Sequence, residues 1–134
     1  MPLDTYIEAL RAGDFTAGLV LLFAFLIGHA LGDHPLQGDY IALNKSRYYR
    51  PHTVPAGQSR AVVWPHCLAA HCLIHGGLVW MISGSVVLAL VEFVLHGVID
   101  FAKCEGWTNY HFDQALHVLC KVGFVVALAL VPSL

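Results

Sequence analysis

Polar residues recur at helical spacing inside otherwise apolar stretches of this chain, and that pattern restricts its fold more than any other feature. His29, Asp33 and Gln37 stand at i, i+4 and i+8, and His71 and His75 at i and i+4. Glu92, His96 and Asp100 repeat the triplet spacing, as do Asp113, His117 and Lys121. An α-helix turns about 100° per residue, so each set lines one narrow face. Ionisable groups are costly in apolar helices, and where they recur they mark a functional interior.

The composition agrees. Of 134 residues, 57 % are hydrophobic and 12 % charged, against about 25 % charged in soluble domains. The length suits a single integral membrane domain spanning residues 1–134. A net charge of −2 offers no basic surface to neutralise phosphates, so nucleic acid is not an expected partner. Cys67, Cys72, Cys104 and Cys120 form no CxxC pair and are read as small buried hydrophobes rather than a disulfide framework. Residues 2–14 carry Asp4, Glu8, Arg11 and Asp14, unlike the basic opening of a cleavable signal. Leu3, Ile7 and Leu10 instead suggest a short amphipathic helix at the membrane interface.

Four spanning helices are expected, at about 15–37, 61–82, 86–103 and 109–131, each near the length that a hydrocarbon core of about 30 Å requires. Trp64 and Pro65 mark the start of the second, Ser83-Gly84-Ser85 separates the second from the third, and Gly106 to Asn109 precedes the fourth. The fold class is therefore all-α, a four-helix transmembrane bundle with a short amphipathic N-terminal helix. The long connection, residues 38–60, holds Lys45, Arg47, Arg50 and Arg60 with Asp39 its one acid. The positive-inside rule places this loop in the cytoplasm and both termini outside.

Depth along the helices unites the stripes. Counted from the loop-38–60 side at about 1.5 Å per residue, His29, Asp33, His71, His96, Asp100, Asp113 and His117 fall in one half of the bilayer. The other half is almost wholly Leu, Val, Ala and Ile. Gly28 and Gly32 form a GxxxG at the same level and permit close helix approach. A polar cavity opening toward the cytoplasm is the expected result.

Imidazole and carboxylate on facing helices are ligands for Zn, Mn, Fe and related divalent ions. The expected ligands are His29, Asp33, His71, His96 and His117, holding one or two ions, with Zn the first choice. His75, Asp100 and Asp113 are further ligands or bases that activate water, and Gln37, Lys45 and Lys103 are expected at the mouth, in contact with substrate. Lys45, Arg47 and Arg50 would attract an anionic headgroup. His66 is read as interfacial, His34 and His52 as solvated, and His111 as a helix-start residue near the mouth; Cys67 and Cys72 are read as packing. Glu92 and Lys121 lie one turn deeper than His96 and His117, at similar depth. Because an isolated charge there costs at least about 2.5–3.5 kcal/mol, they are predicted to form a buried ion pair beneath the site.

With His29-x3-Asp33-x3-Gln37, Asn44-Lys45, His71-x3-His75, His96-x3-Asp100-x2-Lys103 and Asp113-Gln114-x2-His117 in order, the chain resembles an uncharacterised family of small bacterial and phage membrane proteins. The one departure is His34-Pro35, where the family pattern has an aromatic or aliphatic pair. The resemblance implies a bacterial inner (plasma) membrane, and the family has no assigned activity. It is similar in style to predicted membrane-bound metal-dependent hydrolases, an analogy that implies hydrolysis.

The leading expectation is a membrane-embedded divalent-metal protein that hydrolyses a lipid-linked or phosphorylated substrate from the cytoplasmic face. A metal-ion or proton transporter needs a polar path through both halves of the bilayer. A bis-His haem bundle leaves the carboxylates unexplained, and a purely structural phage membrane protein would tolerate alanine at His29 and Asp33. The lipid bilayer is an expected partner, with an anionic lipid or phosphorylated substrate; homo-oligomer formation is open, since no residue specifies it.

Overall fold

A computed structural model describes residues 3–49 and 62–134. The described residues are all-helical, with six helices and no strand: α1 (Asp4–Arg11), α2 (Phe15–Asp33), α3 (Gly38–Asn44), α4 (Trp64–Ser83), α5 (Val86–Cys104) and α6 (Tyr110–Leu130). Local chemistry sets the boundaries. Asp14 caps α2 by accepting from Thr16 N at 2.8 Å and Ala17 N at 3.3 Å, and Asn109 caps α6 by accepting from Phe112 N at 2.9 Å. Such side-chain acceptors satisfy N–H groups that the helix itself leaves unpaired. Between α4 and α5, Gly84 adopts φ +70 and closes α4, and Ser85 caps α5. Only a residue without a Cβ takes that left-handed turn at little cost.

Helices α2, α4 and α6 are each long and apolar enough to cross a membrane. α5 matches them in length at 19 residues but carries Glu92, Asp100 and Lys103. α2 packs against α4 and α6, and α5 packs against the same two, most extensively against α4. Gly76 allows that last approach: a Cβ built on it would lie 2.9 Å from the Ala89 carbonyl oxygen.

The polarity of the packing is inverted relative to a soluble protein. Among the described residues, twelve polar or charged side chains are buried against ten hydrophobic ones. Large apolar groups face outward instead, including Phe15, Leu19, Phe23, Ile27 and Leu31 along α2 and Leu90, Val94 and Val98 along α5. Water rejects that surface and lipid accepts it. The apolar interior (Leu21, Phe25, Val79, Leu88, Phe124 and Leu128, joined by Ile7) fills one end of the helix cluster. The polar residues fill the other.

Three expectations are corrected. The first span ends at Asp33 rather than residue 37, so Gln37 leaves the His29–Asp33 stripe and sits in a turn. Pro35 has no N–H for the next helical bond and disfavours helical geometry at His34. Leu36 N–H takes up the Leu31 carbonyl at 3.0 Å, and Gly38 turns the chain at φ +62. The stretch expected as loop from residue 38 opens with α3, which packs on α4. Third, α1 is amphipathic as expected, yet its apolar face packs on protein: Ile7 is buried, and Leu3 and Leu10 join the same core. Arg11 reinforces this seat by donating to the Leu128 carbonyl at 3.0 Å, a group that the last turn of α6 leaves free, and to the Leu134 carbonyl beyond the helix at 3.1 Å. Arg50, His52, Pro51, Pro55, Gly57, Arg60 and the expected start at Ala61 lie outside the described residues.

The two adjacent glycines of α4 offer a matched pair of substitutions. Gly76→Ala forces α4 and α5 apart and should cost about 1–3 kcal/mol. Gly77→Ala meets nothing within 4 Å and should be neutral or stabilising by up to about 1 kcal/mol from helix propensity. Reversible unfolding in detergent micelles measures both; equal effects would discount the close approach at Gly76.

Candidate functional site

Four helices each deliver one polar stripe to the same interior point. Asp33 comes from α2, His71 and His75 from α4, and His96 from α5; one ligand-type atom of each lies within 4.8 Å of all the others. Asp33 Oδ1 stands 3.1 Å from His75 Nε2, 3.4 Å from His71 Nε2 and 4.0 Å from His96 Nε2. His71 Nε2 and His96 Nε2 are 3.1 Å apart. A tetrahedral cation bound at 2.0–2.1 Å holds its ligand atoms about 3.3–3.4 Å from one another, and these separations bracket that value. The three imidazoles are at most 1 % exposed, and His75 stacks on His96 with ring centroids 3.6 Å apart.

Two further groups adjoin the first. His29, His96 and His117 form one, with no carboxylate; Asp100, Asp113 and His117 form the other. The second already holds a cation of its own. Lys103 Nζ donates to Asp100 and to Asp113 Oδ2, the latter at 2.9 Å.

The carboxylates divide according to their partners. The chain has three lysines, and all three reach into the interior. Lys45 pairs with Asp100, Lys103 with Asp100 and Asp113, and Lys121 with Glu92. Asp33 touches imidazoles and the Gln114 amide and no lysine. Counting Asp33, Glu92, Asp100 and Asp113 against Lys45, Lys103 and Lys121 leaves one negative charge, 3 − 4 = −1, and it resides on Asp33. The Asp33 side chain is 13 % exposed, and with its neighbouring imidazoles neutral that largely enclosed carboxylate is an electrostatic match for a cation. His29 Nδ1, His71 Nδ1, His75 Nε2, His117 Nε2 and Asp113 Oδ1 are buried without a hydrogen-bond partner among the described residues. Orphaned polar atoms are rare in protein interiors; of the seven among the described residues, five belong to cluster residues, the other two being Glu105 Oε1 and Thr108 Oγ1.

Supporting bonds surround the centre. Gln114 Nε2 donates to Asp33 Oδ2 at 2.9 Å, and its Oε1 lies 3.2 Å from His29 Nε2. Deeper still, Glu92 Oε1 lies 3.2 Å from His96 Nδ1 and accepts from Lys121. Both members of that ion pair are 1 % exposed, as their shared depth predicts. At the opposite end Gln37 donates to the Asp33 carbonyl at 3.0 Å and accepts from Lys45 Nζ at 2.6 Å. Outside the helix ends, Arg47 pairs with Glu105, beside Tyr48. The Glu105 carboxylate, with help from Tyr48, holds the exposed Arg47 guanidinium above its ordinary value.

All eight expected His and Asp candidates thus meet in one cluster. Lys45 is the correction. Expected at an open mouth, it is 6 % exposed and committed to Asp100, because α3 turns its end back onto the helix cluster. Lys103 is half-buried between two aspartates rather than free for substrate. His34, His66 and His111 are exposed. Sequence spacing missed Gln114 as a site residue, although it adjoins Asp113 in the Asp-Gln motif.

Residues 21–133, which include every residue of the cluster, match a family model described as a protein of unknown function (DUF3307). No curated protein and no solved structure matches the chain.

Gly32 tests the geometry of the centre. A Cβ at this position would fall 2.5 Å from His75 Nε2 and Cε1, so Gly32→Ala must displace the imidazole. Nitrogen-15 NMR of labelled imidazoles should show the His75 resonances moved in Gly32→Ala and unmoved in Gly77→Ala. Unchanged His75 shifts in Gly32→Ala would contradict this packing.

Proposed function

The chain belongs to the DUF3307 family of proteins of unknown function, and from its own residues we propose that it is a membrane-embedded divalent-metal protein. The carrying observation is that Asp33, the one carboxylate of the cluster without a lysine, faces three buried imidazoles at metal-ligand separations. Asp33, His71, His75 and His96 would hold the ion. His29 and His117 adjoin it and would serve a second ion or a shifted one. Nitrogen and oxygen donors in this number suit Zn first, and Mn or Fe next.

In the proposed architecture α2, α4, α5 and α6 all span the bilayer. α5 qualifies because Glu92, Asp100 and Lys103 are turned inward and paired, while its outer face is Val and Leu. Exposed Tyr40, Tyr48, Trp107 and Tyr110 sit at the end that carries Lys45 and Arg47. Aromatic and basic residues gather in this way at the cytoplasmic interface. This end is proposed to face the cytoplasm of a bacterial cell, with the centre about one to two helical turns beneath the headgroups.

The activity we favour is metal-dependent hydrolysis of a lipid-linked or phosphorylated substrate. A bound divalent ion would polarise a phosphoryl or acyl oxygen and lower the pKa of water at its surface. With +2 added to a cluster of −1, the interior would carry +1 and favour an anionic ligand. Lys45 and Lys103, already counted in that balance, would lie on the headgroup side of the ion, with Lys45 held by Asp100 and Gln37. In this assignment Asp100 and Asp113 hold lysines rather than ligate the ion. Conduction through the protein is the weaker reading, because Leu21, Phe25, Val79, Leu88, Phe124 and Leu128 close the far end with apolar side chains.

Elemental analysis of protein purified in detergent is expected to give at least one divalent metal per chain. Asp33→Ala and His96→Ala should lose it, whereas His66→Ala, at an exposed site, should keep it. A metal-free wild-type protein, or full retention in Asp33→Ala, would refute the centre. A second measurement addresses hydrolysis: release of phosphate or a water-soluble headgroup from anionic phospholipid vesicles should require the metal and stop on chelation.

A further inference from the structure

The Glu92–Lys121 pair lies where no substrate group needs it, under the metal-ligand cluster and against the apolar seal. Lys121 and Glu92 are each 1 % exposed, and Phe124, whose ring centroid is 5.4 Å from Lys121 Nζ, belongs to the apolar core. A buried ion pair is rarely a net gain over well-packed apolar residues of similar volume. Stability alone is thus a poor reason for its presence.

Its bonds suggest the reason. Glu92 Oε1 accepts from Lys121 and lies 3.2 Å from His96 Nδ1, with His75 Nδ1 4.0 Å away on the same side. An ionised carboxylate can only accept, so the proton of His96 must reside on Nδ1. That leaves the Nε2 lone pair of His96 directed at Asp33 and His71. The α-helix supplies the register: Glu92 and His96 are one turn apart on α5, so the carboxylate sits directly behind the ring.

We propose that Glu92 is a positioning residue, held by Lys121, that fixes the His96 tautomer and backs His75 so that both rings present Nε2 to a divalent cation. This rests on the metal reading above and specifies how the centre is held from its membrane side. The carboxylate–imidazole arrangement raises ligand basicity and restrains ring orientation, and loss of such a partner typically weakens metal affinity about 10–100-fold. Lys121 cancels the carboxylate charge, so the support adds no net charge to the cluster.

Cobalt(II) titration of the purified full-length protein, with a chelator as competitor, separates the possibilities. Single substitutions leave one buried charge unpaired and can fail to fold, so double variants are decisive. Glu92→Gln/Lys121→Met retains an acceptor behind His96 and removes both charges; it should bind Co2+ about 10-fold more weakly. Glu92→Leu/Lys121→Met removes the acceptor as well and should bind about 100-fold more weakly, with the d–d absorption bands shifted in position. A protein in which the pair served only as packing would keep wild-type Co2+ affinity and spectrum in both folded doubles, and that result overturns the proposal while leaving the metal centre intact. Failure of wild-type protein to bind Co2+ would overturn the metal reading itself.

Discussion

A charge placed among apolar helices must be neutralised by a partner within reach, and this requirement organises the whole protein. Three carboxylates meet it with three lysines: Glu92 with Lys121, Asp100 with Lys45 and Lys103, and Asp113 with Lys103. Each pair joins different elements or successive turns, so the pairing also fixes how the helices are rotated about their axes. Asp33 is left to four imidazoles and an amide. The cluster is balanced everywhere except at the point where its ligand-type atoms converge.

The remaining architecture holds that imbalance in place. Gly32 lets α2 approach until its backbone meets the His75 ring, and Gly76 does the same between α4 and Ala89 of α5. Ile7 of α1 closes the apolar end, tied down by Arg11 on the carbonyls of Leu128 in the last turn of α6 and of Leu134 beyond it. At the polar end, α3 folds back so that Lys45 enters the interior, and Arg47 fastens the following residues to Glu105. Such layering sets the ligand-type atoms between an apolar seal on one side and ion pairs on the other.

Much of the site was legible beforehand because helical spacing converts directly into facing. Residues four apart share a face, and residues at equal depth on neighbouring helices meet. His29, Asp33, His71, His75, His96, Asp100, Asp113 and His117 needed no more than that, and neither did the Glu92–Lys121 pair. Gln37 failed the same test because Pro35 ended the helix before the third repeat. Gln114 was passed over because spacing ranks it beside Asp113, on a neighbouring face; only the proximity of α2 brings its amide to Asp33. Lys45 reads as a surface residue because a basic residue in a long connection is ordinarily solvated, and nothing local announces that α3 folds inward.

The sequence by itself determined that apolar helices would gather their polar stripes at one depth, since periodicity and hydropathy are properties of each segment alone. It also determined which residue types stand ready to bind a cation. Only the tertiary structure decided which carboxylates are consumed by lysines and which one is left. That outcome depends on distances of a few ångströms between side chains on different elements, where Coulomb energy changes steeply and no spacing rule reaches. Four nearly equivalent acids in the sequence thereby become three lysine-paired carboxylates and one candidate ligand.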